Sequence, residues 1–419
     1  MGDLRQQGAK RGVESVEGGR DAFHRIDRDI QAGGLRDCVP VRHEDYYINL
    51  VIHFSKRLPA ERGLNEMTRL LEARRAAGAQ ILDLTESNPT LAGVTYPPGI
   101  LEALADARAL RYQPEPFGLP VAREAVAREY GARADRVILT ASTSEAYSWL
   151  FKLLCDPGDE VLIPRPSYPL FEHLAALESV RVRHYGLFFD HGWCIDFHTL
   201  RQALSPRTRA IVLVNPNNPT GHFLRHHERE ELLALAAGAG IAVISDEVFR
   251  EYELNAAHDS VRSLHGASDG LVFTLNGLSK TVGLPQLKLA WTLVSGDDRV
   301  VKEALGRLEI IADAYLSVGT PVQCALERLL ALRGVMQKQI CARLRQNVAV
   351  LQASGLRTYP VEAGWTAVVA GVADAEELLR DCGVLVQPGY FYDFEDSGLA
   401  VVSLLTKPEI FASGLARIT

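Results

Sequence analysis

Four short segments of this 419-residue chain end in residues that could do chemistry together. In "NGLSKTVGLPQLK", residues 276–288, Lys280 leaves an apolar run and meets small, loop-forming residues. A lysine there is either a surface amine reaching water or an amine held in a pocket. In an apolar cleft its pKa falls, and the neutral form attacks an aldehyde to make a Schiff base. In "VISDEVF" an apolar strand ends at Asp246 and Glu247, and a buried carboxylate is costly without a cationic or hydrogen-bonding partner. Exposure at the strand end is the simpler alternative, and it suits Glu247 better than Asp246.

In "VNPNNPTG", residues 214–221, two X-Pro bonds and a closing glycine constrain an irregular turn, from which Asn218 can present an amide in a fixed direction. In "LTASTSEAYSW" a strand turns into a helix at Ser142, Thr143 and Ser144, where hydroxyls and free N–H groups face an incoming anion. The same letters also make an ordinary N-cap, and alone they favour that reading. Taken together, an anion cup, a fixed amide, a buried carboxylate and an amine nucleophile meet the requirements of pyridoxal 5′-phosphate.

Elements of a recognisable kind must hold these residues. Short β-branched runs alternate with amphipathic stretches: "RVILTA" then "SEAYSWLFKLLC", "DEVLIP" then "YPLFEHLAALE", "RAIVLVNP" then "RHHEREELLALAAGAG". Strands apolar on both faces and separated by helices predict a mostly parallel sheet sandwiched by helices, with ligands at the carboxyl ends of its strands. A helix is expected within 64–80, and after residue 297 long helices lead into a second, smaller α+β unit. The expected organisation is an N-terminal extension and arm over 1–60, a first part of the small domain over 61–110, a large cofactor-binding domain over 111–315, and the rest of the small domain over 316–419. The polar first 45 residues carry no motif.

Bulk properties narrow the function classes. A hydrophobic share of 47% and a charged share of 23% suit a globular protein, and a net charge of −7 without a basic tract argues against nucleic acid. Six cysteines, Cys38, Cys155, Cys194, Cys324, Cys341 and Cys382, form no C-x-x-C pair, so neither a zinc knuckle nor a redox dithiol is expected. The N-terminus lacks a secretory core and no run approaches a membrane span, which predicts a cytoplasmic protein with no membrane partner and no metal.

From about residue 65 onward, and most strongly over 139–291, the chain resembles the fold-type I, class I/II aminotransferases of the aspartate aminotransferase superfamily. The resemblance implies that Lys280 is the Schiff-base lysine and proton shuttle, that Asp246 pairs with the pyridine nitrogen, and that Asn218 bonds the ring oxygen. It further implies that Tyr168 stacks on the ring, that Ser142, Thr143 and Ser144 hold the phosphate, and that Tyr112 reaches the phosphate of a neighbouring subunit in a homodimer. Ser87 and Asn88 in "ESNPT" would line the substrate side. The activity implied is ping-pong transfer of an amino group from an amino acid or amine to a 2-oxo acid; a lyase, decarboxylase or cyclase on the same scaffold is the alternative.

Four positions depart from the family pattern. Phe249 replaces a tyrosine that donates to the ring oxygen, Gly277 replaces a phosphate-binding serine, and Lys288 replaces an arginine, keeping its charge but not its fork. Val401, in "LAVVSLL", stands where the family carries the arginine that clamps the substrate carboxylate, and residues 388–416 contain no arginine. Arg57 and Lys407 are the candidate substitutes. The region "IADAYLSVGTP" offers no arginine for a second carboxylate, so a dicarboxylate substrate is not expected.

Overall fold

The computed structural model describes residues 53–58, 63–396 and 398–419, together with the backbone of 39–43 and 46–50. Most of the extension expected over 1–60 lies outside these residues. Within it, strands β1 (Val39–His43) and β2 (Tyr46–Leu50) pair antiparallel.

The large sheet is built from β4 (Val137–Thr140), β5 (Glu160–Arg165), β6 (Arg181–Phe189), β7 (Trp193–Ile195), β8 (Thr208–Val214), β9 (Ala242–Asp246), β10 (Leu271–Gly277) and β11 (Ala290–Gly296), after the short strand β3 (Leu82–Asp83). Its spatial order is β4-β11-β10-β9-β8-β5-β6-β7. Strands β6, β5, β8, β9 and β10 pair in parallel, while β11 runs antiparallel to both β10 and β4. Residues on both faces are buried, as the unbroken apolar runs predict.

Register lines up the strand ends. Thr140, Ala290 and Gly277 face one another across β4, β11 and β10, and Leu275, Asp246 and Val214 do so across β10, β9 and β8. The carboxyl ends of four strands therefore open onto one edge.

The smaller sheet, β12 (Arg357–Thr358), β13 (Thr366–Ala370), β15 (Gln387–Pro388) and β16 (Leu399–Ser403), has the order β12-β13-β16-β15. Strand β14 (Val384–Leu385) pairs in parallel with β3, which ties the segment before residue 90 to the C-terminal region. Of the long helices after residue 297, Asp298–Tyr315 buries Val301, Ala304, Leu308 and Ala312 against the large sheet's core. Thr320–Ala331, beyond the expected edge of the large domain at 315, also packs there, with Leu139 and Trp291. Helix Arg333–Ala353 places Ile340, Leu344 and Leu351 in the core of the smaller unit. Among the described residues no helix is long and apolar enough to cross a membrane.

A buried ion pair joins the turn after β8 to the segment before β13. Arg225 donates to both oxygens of Glu362, and Glu362 also accepts from the Phe223 N–H at 3.1 Å. Both side chains are about nine-tenths buried, at 12% and 11% exposure, so removing one partner strands a charge. Glu362→Ala is expected to lower unfolding free energy by about 3 kcal/mol in a denaturant titration; a loss under about 1 kcal/mol, the worth of an exposed pair, would contradict this role.

Candidate active site

The strand ends enclose a cavity of about 450 Å³, within the range of small-molecule sites. Ser87, Ser142, Thr143, Ser144, Tyr168, Asn218, Asp246, Lys280 and Lys288 all line it, as do Phe249 and Gly277. Asn88 does not: its Oδ1 accepts from the Thr90 N–H and hydroxyl at 3.0 and 2.7 Å, closing a local turn. Tyr112 is 80% exposed in a separate shallow depression.

Each side chain owes its position to a local cause. Ser142 caps helix Thr143–Leu154, its Oγ accepting from the Glu145 N–H at 3.1 Å, so the N-cap and the cavity lining are the same feature. Asn218 sits between two cis X-Pro bonds, at Pro216 and Pro219, with its Oδ1 3.5 Å from the Thr366 hydroxyl. Asp246 is the last residue of β9 and is buried. Lys280 lies in the single turn Leu278–Thr281 that follows β10. Lys288 precedes β11 with a φ of 50°.

Electrostatics separate the two charged groups at the cavity's centre. Burial lowers the Lys280 amine from 10.5 to about 8, against the pull of Asp246, which favours the cation. Its Nζ lies 4.4 Å from the centre of the Trp365 ring and 5.4 Å from that of Phe249. Burial raises Asp246 from 3.8 to about 6, and the Val248 N–H, the Tyr147 hydroxyl and Lys280 each hold it back from rising further. Tyr147 donates to Asp246 Oδ2 at 3.2 Å from inside the helix that Ser142 caps. Glu247 is not at the surface, as its strand-end position suggested: it is 0% exposed, accepts from Ser245 and the Leu264 N–H, and lies 3.5 Å from the Arg250 guanidinium. Burial pushes it up to about 7. Alternation across the strand sends adjacent carboxylates to opposite sides.

The departures from the family pattern have structural counterparts. Phe249 lies 5.5 Å from Trp365, and the nearby Tyr252 hydroxyl bonds the Lys280 carbonyl instead of facing the ring site. A Cβ at Gly277 would meet the Ala290 Cβ at 2.9 Å, the Ala290 Cα at 3.0 Å and the Leu289 carbonyl oxygen at 3.1 Å, so the backbone across the ladder as well as its methyl crowds a serine there. Val401 is buried beside Tyr392, Val368 and Leu399. Neither proposed substitute cation lines the cavity: Arg57 donates to the Leu177 carbonyl at 3.1 Å, and Lys407 heads helix Pro408–Ile418.

Tyr147 stands behind the site, and Thr85, Ser279, Trp365, Thr366, Gln387, Tyr392 and Ser403 also line it; none of these is singled out by the sequence. Ser403, the lone polar residue of "LAVVSLL", and the aromatic cluster "PGYFYDF" were the available clues.

With this geometry in hand, comparison with known proteins is decisive. The family model described as aminotransferase class I and II matches residues 79–409. The chain belongs to that family. It is 31% identical over 276 residues to the glutamate-pyruvate aminotransferase AlaA of Escherichia coli, covering 64% of this chain and 66% of that protein. It is 29% identical over 338 residues to nicotianamine aminotransferase B of Hordeum vulgare, covering 77% of this chain and 54% of that one. The structure of an alanine aminotransferase from Pyrococcus furiosus superposes with a TM-score of 0.78 at 26% identity, over 87% of this chain and 98% of the other. These neighbours are fold-type I enzymes, and the family depends on pyridoxal 5′-phosphate.

The residues present fit that cofactor. Hydroxyls at a helix N-terminus, a lysine, a buried carboxylate and an amide line one cavity. The Lys280 amine meets ring faces in place of a carboxylate contact.

Two measurements check the site. In the cofactor-free protein, trapping of Lys280 by a small aldehyde and borohydride is expected to rise with pH through a midpoint near 8; a midpoint at 10.5 would show an unburied amine. Asp246→Asn removes the charge that favours the cation, so the midpoint moves lower still. Gly277→Ser is expected to destabilise by about 1–3 kcal/mol through overpacking. Ala290→Gly would leave the Ala290 Cα and Leu289 carbonyl contacts in place, so it should restore part of that loss at most, and a Gly277→Ser variant as stable as the parent would refute the steric account.

Proposed function

We propose that this chain is an aminotransferase that moves an amino group between an amino acid or amine and a 2-oxo acid in two half-reactions at one cavity. The observation that carries the reading is the convergence of Lys280, Asp246, Asn218 and the Ser142–Ser144 hydroxyls on one pocket of matching size. Bound there, pyridoxal 5′-phosphate supplies an electron sink conjugated to the substrate's amine-bearing carbon.

The chain's own residues supply the rest. Ser142, Thr143, Ser144 and Lys288 hold the phosphate, and Gly277 leaves this end without the family's serine. Tyr168 covers one ring face. Asn218 donates to the ring oxygen without a tyrosine partner, since Phe249 offers none. Asp246, kept anionic at neutral pH by its hydrogen bonds, retains the proton on the pyridine nitrogen. Lys280 anchors the cofactor and, once displaced, carries a proton at the substrate carbon; a depressed pKa suits that task.

The acceptor panel begins with pyruvate, which the Escherichia coli relative's name carries. Leu110, Tyr112 and Ile310 are 91%, 80% and 74% exposed, which supports a homodimer in which Tyr112 reaches the other subunit's phosphate. Cysteines left unpaired among the described residues, Cys155, Cys194, Cys324, Cys341 and Cys382, support a cytoplasmic setting.

The test is spectroscopic. An amino donor added to the loaded enzyme is expected to convert the visible cofactor band without any acceptor, and a 2-oxo acid to restore it. Lys280→Ala abolishes the cycle, and Lys288→Ala weakens cofactor affinity about tenfold or more, the worth of a charge-assisted bond. Release of ammonia or carbon dioxide without that reversible conversion would instead establish the lyase or decarboxylase alternative.

A further inference from the structure

The wall of the cavity away from the phosphate cup is built from the smaller sheet and from the segment after β3. Gln387 of β15 stands opposite Val401 of β16 and lines the cavity. Val401 itself is 1% exposed, and the space beside it is filled by Tyr392. Tyr392 is fixed at both ends: its carbonyl accepts from the Ser167 N–H at 3.1 Å, and its hydroxyl donates to Gln387 Oε1.

With its oxygen turned onto Tyr392, Gln387 has its amide N–H₂ left for the cavity, and that nitrogen has no partner among the described residues. Three of the hydroxyls that line the cavity with it are already donating elsewhere. Thr85 donates to Asp83 at 2.6 Å, Thr366 to the Pro219 carbonyl at 3.0 Å, and Ser403 to the Glu86 carbonyl at 2.6 Å. Among the described residues the cavity's cations are Lys280 and Lys288, and both belong to the cofactor in the reading above.

We infer that Gln387 determines substrate specificity, and that the amino donor carries beside its amine-bearing carbon a neutral hydrogen-bond acceptor, as in an amino amide, amino alcohol or amino ketone, in place of a free carboxylate. A carboxylate moved against this wall gives up its water for one neutral donor, and the charge behind Thr85 is the negative one of Asp83. A carbonyl or hydroxyl oxygen loses little hydration and gains a hydrogen bond already oriented by Tyr392. The inference rests on the aminotransferase reading, because the amine must reach Lys280 with its neighbouring group on this wall.

L-alanine, L-alaninamide and L-alaninol share one skeleton and differ in this group alone. Conversion of the cofactor band by each, followed in the first half-reaction, is expected to give kcat/KM for the amide or the alcohol about tenfold or more above alanine, with most of the difference in KM. Gln387→Met, which removes the donor without adding a charge, is expected to lower kcat/KM for the amide and the alcohol more than for alanine, and Gln387→Arg to turn the preference toward alanine; retained cofactor absorbance shows that each variant is folded. A wild-type preference for alanine, or a preference that Gln387→Met leaves intact, overturns the inference while the aminotransferase reading stands. Failure of these three and of every other amine to convert the band rejects that reading, and the inference with it.

Discussion

A lysine amine and a carboxylate share a buried cavity in which neither has its ordinary supply of water. Burial makes Lys280 easier to deprotonate and Asp246 harder to ionise, and each opposes the shift of the other. At neutral pH that balance leaves a carboxylate still charged and an amine within reach of its neutral form. The surroundings keep the balance in place. Tyr147 and the Val248 N–H hold Asp246 ionised from behind, while Trp365 and Phe249 surround the amine with ring faces.

Holding such a pair requires a scaffold stiffer than a loop. The large sheet provides it through register, because Thr140, Ala290 and Gly277 in one row and Leu275, Asp246 and Val214 in the next fix where each chemical side chain leaves its strand. A ladder that slipped by one residue would carry every one of these side chains to the opposite face of the sheet. The smaller sheet closes the other side. Its link to the N-terminal segment runs through β3 and β14 and through the Ser403 hydroxyl, which bonds the Glu86 carbonyl at 2.6 Å.

The departures from the family pattern fall into coordinated sets. Gly277 has lost a side chain where Ala290 has a methyl, and one Cβ occupies the room of the other. Val401 is short where Tyr392 is bulky, and Tyr392 in turn orients Gln387. Phe249 and Trp365 pack edge to face at 5.5 Å, which leaves the ring side of the cavity apolar where a hydroxyl would otherwise point. A core packed to crystal-like density leaves no void beside a short side chain, and each of these positions has a neighbour that fills the space.

By itself the sequence determined the doubly covered parallel sheet and Lys280, Asp246, Asn218 and Ser142–Ser144, because each of those residues ends an apolar run or sits in a turn whose local geometry is written in adjacent letters. Ser87, Tyr168 and Lys288 were reached through family resemblance and do line the cavity, while Asn88 turned inward on its own loop. Tertiary structure alone decided that Glu247 is buried, that Tyr147 backs Asp246, and that Trp365, Gln387 and Tyr392 line the same cavity. No short window could show this. Gln387 and Lys280 are over a hundred positions apart in sequence, and a side chain's surroundings across that separation depend on which sheet faces which and in what register, a property of long-range packing that local periodicity does not carry.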